Sequence, residues 1–446
     1  MKSSHIIFLI AAMAVLSLLS AFAPEVGGTI LVTTVLGATG IFLSRRWGGE
    51  DNSLLVQIFL IGLVVRLLFG LLVHVYDLRE FFGGDANTYD ANGNALAEYW
   101  AGLRNAFDPE VVRASATSGP SWGMFYLTGG IYSIFGRQIL VAQTVCAGLG
   151  ALTIPAVYFC ANKVFQNRNV SRIAAFSTAF FPAFIIWSSQ LLKDGIIVFL
   201  LVVSMIAVIQ LQQKFNYTAL LVLLLSLGGI ITLRFYIFYM LAMAVGGSFV
   251  IGVNNSLASI GRRTVILVLM GLGLTYLGVI RNASIDFERY GSLENIQRSR
   301  SDLARSESGF GEDLDVSTTE GAITAVPVGF AYLMFAPFPW EVTNFRQAIT
   351  LPEVLVWWAM MPFLAAGIWY AVKYKLRTAF PILLFSLLLT IAYSIFQGNV
   401  GTAYRQRMQI QVFLFIFIAV GWTMYKERRD DRKALAARRR PMPMAG

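Results

Sequence analysis

Apolar runs of about 17–25 residues recur along most of this chain, the length a helix needs to cross a hydrocarbon core roughly 30 Å thick. They read as spans near 5–23, 27–44, 53–75, 138–162, 172–192, 194–212, 217–233, 235–253, 263–281, 352–372, 378–396 and 407–425. The expected fold is therefore an all-α polytopic membrane protein with about twelve transmembrane helices. Of its 446 residues 57% are hydrophobic and only 13% charged, which suits a bundle in lipid and excludes an ordinary soluble domain. A membrane barrel would read as short alternating strands, and none are evident.

Charge sets the orientation. With a cytoplasmic N-terminus, 20 of the 35 Lys and Arg but only five of the 25 acids fall on the inner side. This positive-inside bias places both termini in the cytoplasm. Basic charge here implies contact with anionic lipid, and no nucleic-acid partner is expected. Two further apolar stretches, 120–136 and 322–340, are short, Gly- or Pro-broken and aromatic. Counting either as a span would reverse the later basic loops, so both are expected as external interfacial or re-entrant elements.

The chain divides into two N-terminal helices in 1–52, a large membrane domain in 53–425 and a basic cytoplasmic tail in 426–446, expected to be disordered. Residues 1–23 read as an uncleaved anchor, although Ala21-Phe22-Ala23 resembles a cleavage site. External loops occupy 76–137 and 282–351. The first is acidic and should carry an amphipathic helix over 86–104, with Ala95, Leu96, Tyr99, Trp100 and Leu103 on its apolar face. The second should carry a helix over 287–308. Cys146 and Cys160 fall in one span, so no disulfide is implied. With only His5 and His74, composition argues against a histidine-built metal site.

Conspicuous polar residues gather on the outer side. Gly83-Gly84-Asp85 follows a spanning run directly. Asp85 could cap a helix beginning at Ala86, or act as general base toward an acceptor hydroxyl at the bilayer face. Tyr89, at i+4, would share its face, whereas Asp90 lies roughly 140° around the helix. Lys193-Asp194 sits between two apolar spans with almost no loop, where charges must be paired or solvated. Arg405 and Arg407, after Tyr404 in a Gly-containing external turn, suit phosphate binding if that turn is extended. Arg234 stands at another external turn. Arg298, Arg300 and Arg305 either extend this anion-binding face or pair with Glu294, Asp302 and Glu307. Arg66, deep in a span, must face the bundle interior and reads as structural.

Three motifs occur in order: Phe82-Gly83-Gly84-Asp85 with Tyr89, then Ser121-Trp122-Gly123 through Phe135-Gly136, then Phe181-Pro182 with Ser188-Ser189 and Lys193-Asp194. Over residues 53–255 the chain resembles the GT-C superfamily of polytopic glycosyltransferases, in its protein O-mannosyltransferase-like and lipid A aminoarabinose transferase-like branch. Members share an acidic first external loop, juxtamembrane helices and a Pro-containing helix ending in an external acid.

The resemblance implies a GT-C-like bundle in a bacterial inner membrane, with its active site on the periplasmic or outer face. It implies transfer of a sugar from a polyprenyl-phosphate carrier to a glycan, glycolipid or protein acceptor, with inversion. Asp85 would be the base, and Asp194 would orient the sugar or support a metal. Arg405, Arg407 and Lys193 or Arg234 would hold the departing lipid phosphate. Many relatives carry a second acid beside the loop aspartate, where this chain has Gly84 and Ala86. A metal-free or weakly Mg2+- or Mn2+-dependent site is thus expected. Two other readings stay open: a polysaccharide polymerase or ligase using undecaprenyl-linked glycans, and a transporter or flippase for a lipid-linked sugar.

Overall fold

A computed structural model describes residues 24–117, 121–250, 257–276, 278 and 291–438. The anchor expected over 5–23 and the cleavage-like Ala21-Phe22-Ala23 lie outside the described residues. The described chain is helical, apart from one isolated bridge between Gly309 and Asn399.

Helices α1 (Pro24–Gly48) and α2 (Asn52–Val75) form a hairpin closed by a short 3-10 turn over Gly49–Asp51. Both pack on α6 (Ile139–Phe165), while Leu31, Val35, Phe42, Ile61 and Leu68 stay exposed on the outside, as lipid-facing side chains should. Between α2 and α6 lie three short helices: α3 (Asp85–Trp100), α4 (Pro109–Ser115) and α5 (Trp122–Phe135). They pack on one another, and α5 leans on α10 (Tyr217–Leu233).

Next come α7 (Arg168–Phe180) and α8 (Pro182–Ser188), a pair bent by 53°. Pro182 cannot donate to the preceding turn, so carbonyls at the end of α7 lose their helical partners. Arg66 supplies replacements: its Nη2 donates to Thr178 O at 3.0 Å and its Nη1 to Ala179 O at 3.0 Å, while Nε reaches Ser188 Oγ at 3.0 Å. The buried cation of α2 therefore holds the break in place, the structural role its mid-span position implied.

Helices α9 (Asp194–Gln213), α11 (Phe235–Val250), α12 (Leu257–Tyr276), α13 (Leu293–Ala304), α14 (Thr319–Phe335), α15 (Phe345–Tyr374), α16 (Leu376–Phe396) and α17 (Val400–Arg438) complete the bundle. Helix α17 is its axis: 83% of its most apolar stretch is buried, against 28% for α15 beside it. These two cross at glycines. A Cβ on Gly367 would stand 1.8 Å from Phe417 O, and one on Gly421 would stand 2.0 Å from Phe363 O. Only hydrogens fit there, which lets the backbones touch.

The observed helices agree with some expectations and depart from others. Among the described residues six runs, with the α1–α2 hairpin counted as one, are long and apolar enough to cross a membrane, or seven with the bent pair. Tyr217–Leu233, Phe235–Phe249 and Thr264–Tyr276 are apolar but shorter. Residues past 425 do not leave the helix as a disordered tail; α17 continues to Arg438, because Lys, Arg, Glu and Ala favour helix where no Gly or Pro interrupts. The helix expected over 287–308 is observed as Leu293–Ala304, partly beyond the described residues. On α3 the buried face is Ala86, Tyr89, Asp90, Asn92, Gly93, Ala95 and Leu96 rather than the apolar stripe toward Leu103. Tyr99, Trp100 and Leu103 are exposed, as rings and chains meeting a lipid interface are. The stretches at 120–136 and 322–340 form α5 and α14, too short to span alone.

Candidate active site

Asp85 owes its place to backbone. After Val75 the chain turns through Gly83 and Gly84, both at positive φ (115° and 71°), and α3 begins at Asp85 itself. Gly84 occupies the cap position, with no side-chain cap bond, so the capping role weighed for Asp85 is not what its carboxylate performs. Instead Asp85 Oδ2 accepts from Arg405 Nη1 at 2.6 Å.

Asp194 opens α9 and is fully buried. Its Oδ2 accepts from Arg405 Nε at 2.7 Å and lies 2.6 Å from Arg405 Nη2. Its Oδ1 accepts from Arg234 Nη2 at 3.3 Å. Arg234 Nη1 in turn reaches the Tyr393 hydroxyl at 3.5 Å, and that hydroxyl donates to Gln409. Beside them Lys193, also buried, donates to Ser121 Oγ. Burial, helped by the Arg234 cation, pulls the Lys193 ammonium down to about 7. Three cations thus meet two carboxylates, an imbalance that suits an incoming anion.

The cluster lines a cavity of about 890 Å³. Asp85, Lys193, Arg234 and Arg405 share its wall with Phe69, Phe81, Phe82, Ile186, Trp187 and Ile349, and Arg346 lies over the Phe81 ring, 5.2 Å from its centroid. Ser306, Ser308 and Asn399 make a polar rim, where Asn399 Nδ2 donates to Ser306 Oγ at 2.5 Å and Ser308 Oγ at 2.8 Å. Arg405 also lies over the Trp187 ring, 5.2 Å from its centroid. Asp85 is the accessible acid: its side chain is 46% exposed, against 0% for Asp194.

Other residues singled out in the sequence go elsewhere. Asp90 faces away, accepting from Tyr132 Oη at 2.7 Å and Arg137 Nη2 at 2.7 Å. Tyr89 is buried beneath Asp85 and Ser121; burial and the Asp85 charge push its phenol up to about 12. Tyr404 lines the cavity, but its hydroxyl donates to Glu353 Oε2 at 2.6 Å. Arg407 does not join Arg405. The segment expected to be an extended turn is already helix from Val400, and positions two apart on a helix face nearly opposite ways. Arg407 Nη1 donates instead to Met334 O at 3.0 Å and Ala336 O at 3.1 Å. Arg300 is buried and donates to Gly311 O at 2.7 Å, and Arg305 pairs loosely with Glu312 at 3.7 Å. Glu353, Trp187 and Asn399 were missed; the visible signal for Glu353 was a carboxylate at the start of an apolar run.

Among the described residues no three His, Cys, Asp or Glu side chains converge on a possible metal position. Asp85 and Asp194 are bridged by Arg405, a donor set that does not fit a divalent ion as it stands.

Residues 120–277 match the family described as dolichyl-phosphate-mannose-protein mannosyltransferase. That family is one of GT-C membrane glycosyltransferases, and the stretch similar to it is about a third of the chain. No curated protein and no solved structure matches the chain. The glycosyltransferase match begins further along than the resemblance read over 53–255. It contains Ser121, Lys193, Asp194 and Arg234, whereas Asp85 and Arg405 lie outside it and reach the domain's polar cluster through tertiary packing.

Proposed function

We propose that this membrane glycosyltransferase moves a sugar from a polyprenyl-phosphate carrier to an acceptor hydroxyl at the outer face of a bacterial inner membrane. One observation carries the reading: Arg405 stands between Asp85 and Asp194 beside a cavity that it, Arg234 and Lys193 line together with aromatic and aliphatic side chains. An apolar tail with a phosphate head is the ligand class that such a mixed lining complements.

In this scheme the lipid phosphate settles on Arg405, Arg234 and Lys193, competing with Asp85 for the Arg405 fork. Asp85, relieved of that partner and open to solvent, takes the proton of the acceptor hydroxyl. The acceptor oxygen bonds to the anomeric carbon, the bond from that carbon to the phosphate oxygen breaks, and the carrier leaves with the electron pair. Its added negative charge is stabilised by the three cations. A single displacement inverts the anomeric centre. Asp194 stays buried throughout and orients Arg405 and Arg234. The acceptor is a glycan, glycolipid or protein.

The test is turnover of a polyprenyl-phosphate-linked sugar by purified protein in liposomes, comparing wild type with Asp85→Asn. Transfer by wild type and none by the variant, with polyprenyl-phosphate binding retained, supports the reading. Equal transfer by both would move the chemistry to the arginines and favour a polymerase or ligase. Labelled lipid crossing the bilayer without transfer would make the protein a flippase.

A further inference from the structure

Glu353 is a buried carboxylate in α15 with no place in the scheme above. Its Oε2 accepts two bonds: from the Tyr404 hydroxyl at 2.6 Å, and from the backbone N–H of Ala183 at 2.9 Å. These partners come from different walls of the cavity. Ala183 is the second residue of α8, whose Ile186 and Trp187 line the cavity and which leads into Lys193 and Asp194. Tyr404 immediately precedes Arg405 on α17.

A third wall is tied in by Arg407. Its guanidinium lies 5.1 Å from the centroid of Tyr404 and 5.8 Å from that of Trp357, on the same helix as Glu353. Arg407 and the Trp357 indole N–H both donate to Met334 O, at 3.0 and 2.7 Å, and Arg407 also reaches Ala336 O. The next residue, Pro337, lines the cavity. One carboxylate oxygen therefore fixes the broken helix to the helix carrying Arg405, and its surroundings fix the end of α14 to both.

We propose that Glu353 is a positioning residue of the transfer site, which sets Arg405 by holding Tyr404 against the start of the broken helix. It touches no substrate. The proposal rests on the glycosyl-transfer reading for its kinetic consequences, but its binding consequences stand without turnover. Because both bonds fall on one oxygen, a carboxamide can accept them too, whereas a methyl group cannot.

The experiment compares wild type, Glu353→Gln, Glu353→Ala, Tyr404→Phe and the Glu353→Ala/Tyr404→Phe double variant in nanodiscs. It measures binding of polyprenyl phosphate, kcat and KM for the linked sugar, and Tm. Expected is near-wild-type binding for Glu353→Gln and about tenfold weaker binding for Glu353→Ala. The double variant should be no worse than Glu353→Ala alone, the non-additivity that residues acting through one another show. Wild-type phosphate affinity in folded Glu353→Ala would overturn the proposal, leaving only a structural role. So would additive losses in the double variant, or Glu353→Gln binding as poorly as Glu353→Ala. Phosphate binding by wild type without any sugar transfer would sink the transfer reading while the Glu353 comparison still stands.

Discussion

Arg405 and Asp194 meet through two contacts that converge on one oxygen, Nε to Oδ2 at 2.7 Å and Nη2 to the same oxygen at 2.6 Å, although 211 residues separate them. The contact fixes the guanidinium plane, and that leaves Nη1 to point at Asp85. A phosphate approaching the cavity therefore meets a pre-oriented donor.

Asp85→Asn removes the base but keeps the side chain's shape. Transfer should fall by about 10²–10⁴-fold with polyprenyl-phosphate binding unchanged or tighter, since the phosphate no longer competes with a carboxylate for Arg405. Turnover and lipid binding measured on one preparation separate the two effects.

Asp194→Asn should behave differently. It strips the counter-charge from two buried guanidiniums, Arg234 and Arg405, and breaking such a pair costs about 3–5 kcal/mol. Thermal unfolding in detergent or nanodiscs should show the loss directly, and the variant should be poorly recovered.

Arg405→Lys retains a charge but cannot span Asp194 and Asp85 with one planar fork. Donor KM should rise and kcat fall, together about 10–100-fold, with little change in Tm. Arg407→Lys gives the contrast. Its targets are two carbonyls, of Met334 and Ala336, that do not themselves line the cavity, and lysine keeps a cation beside the Tyr404 ring, so Tm should drop while donor KM per folded molecule stays within about threefold.

Lys193 gives the pH dependence. Its ordinary value of 10.5 is lowered to about 7 in the folded protein by burial and Arg234. Phosphate binding favours the ammonium, so affinity should fall as pH rises above 7, by at most about tenfold per unit. Lys193→Met should bind more weakly and flatten the profile. For folding the sign is opposite: between 7 and 10.5 the unfolded chain holds the proton and the native one does not, so this group makes stability rise with pH in that window. A falling affinity curve over a rising stability curve is the signature to measure.

How much was legible beforehand follows from range. Membrane-length apolar runs are local, so the helices at 52–75, 139–165, 194–213 and 376–396 lie close to their expected limits. Lone charges in apolar surroundings are local too, and Asp85, Lys193, Asp194, Arg234 and Arg405 stood out for that reason. Direction was not legible. Whether Arg407 points with Arg405 or against it depends on where α17 begins, and whether Asp90 faces the cavity depends on how α3 rolls against α5. Both are settled by packing of many weak contacts rather than by neighbours in sequence.

By itself the sequence determined that the chain is helical and membrane-embedded and which charges have no place in lipid, because hydration cost acts on each residue where it stands. Tertiary structure alone decided their partners. Arg66 found the carbonyls freed at Pro182, Glu353 found Tyr404, and Arg405 found two acids at once. A buried charge must be satisfied, but sequence leaves open by whom; the answer comes only when distant helices close around it.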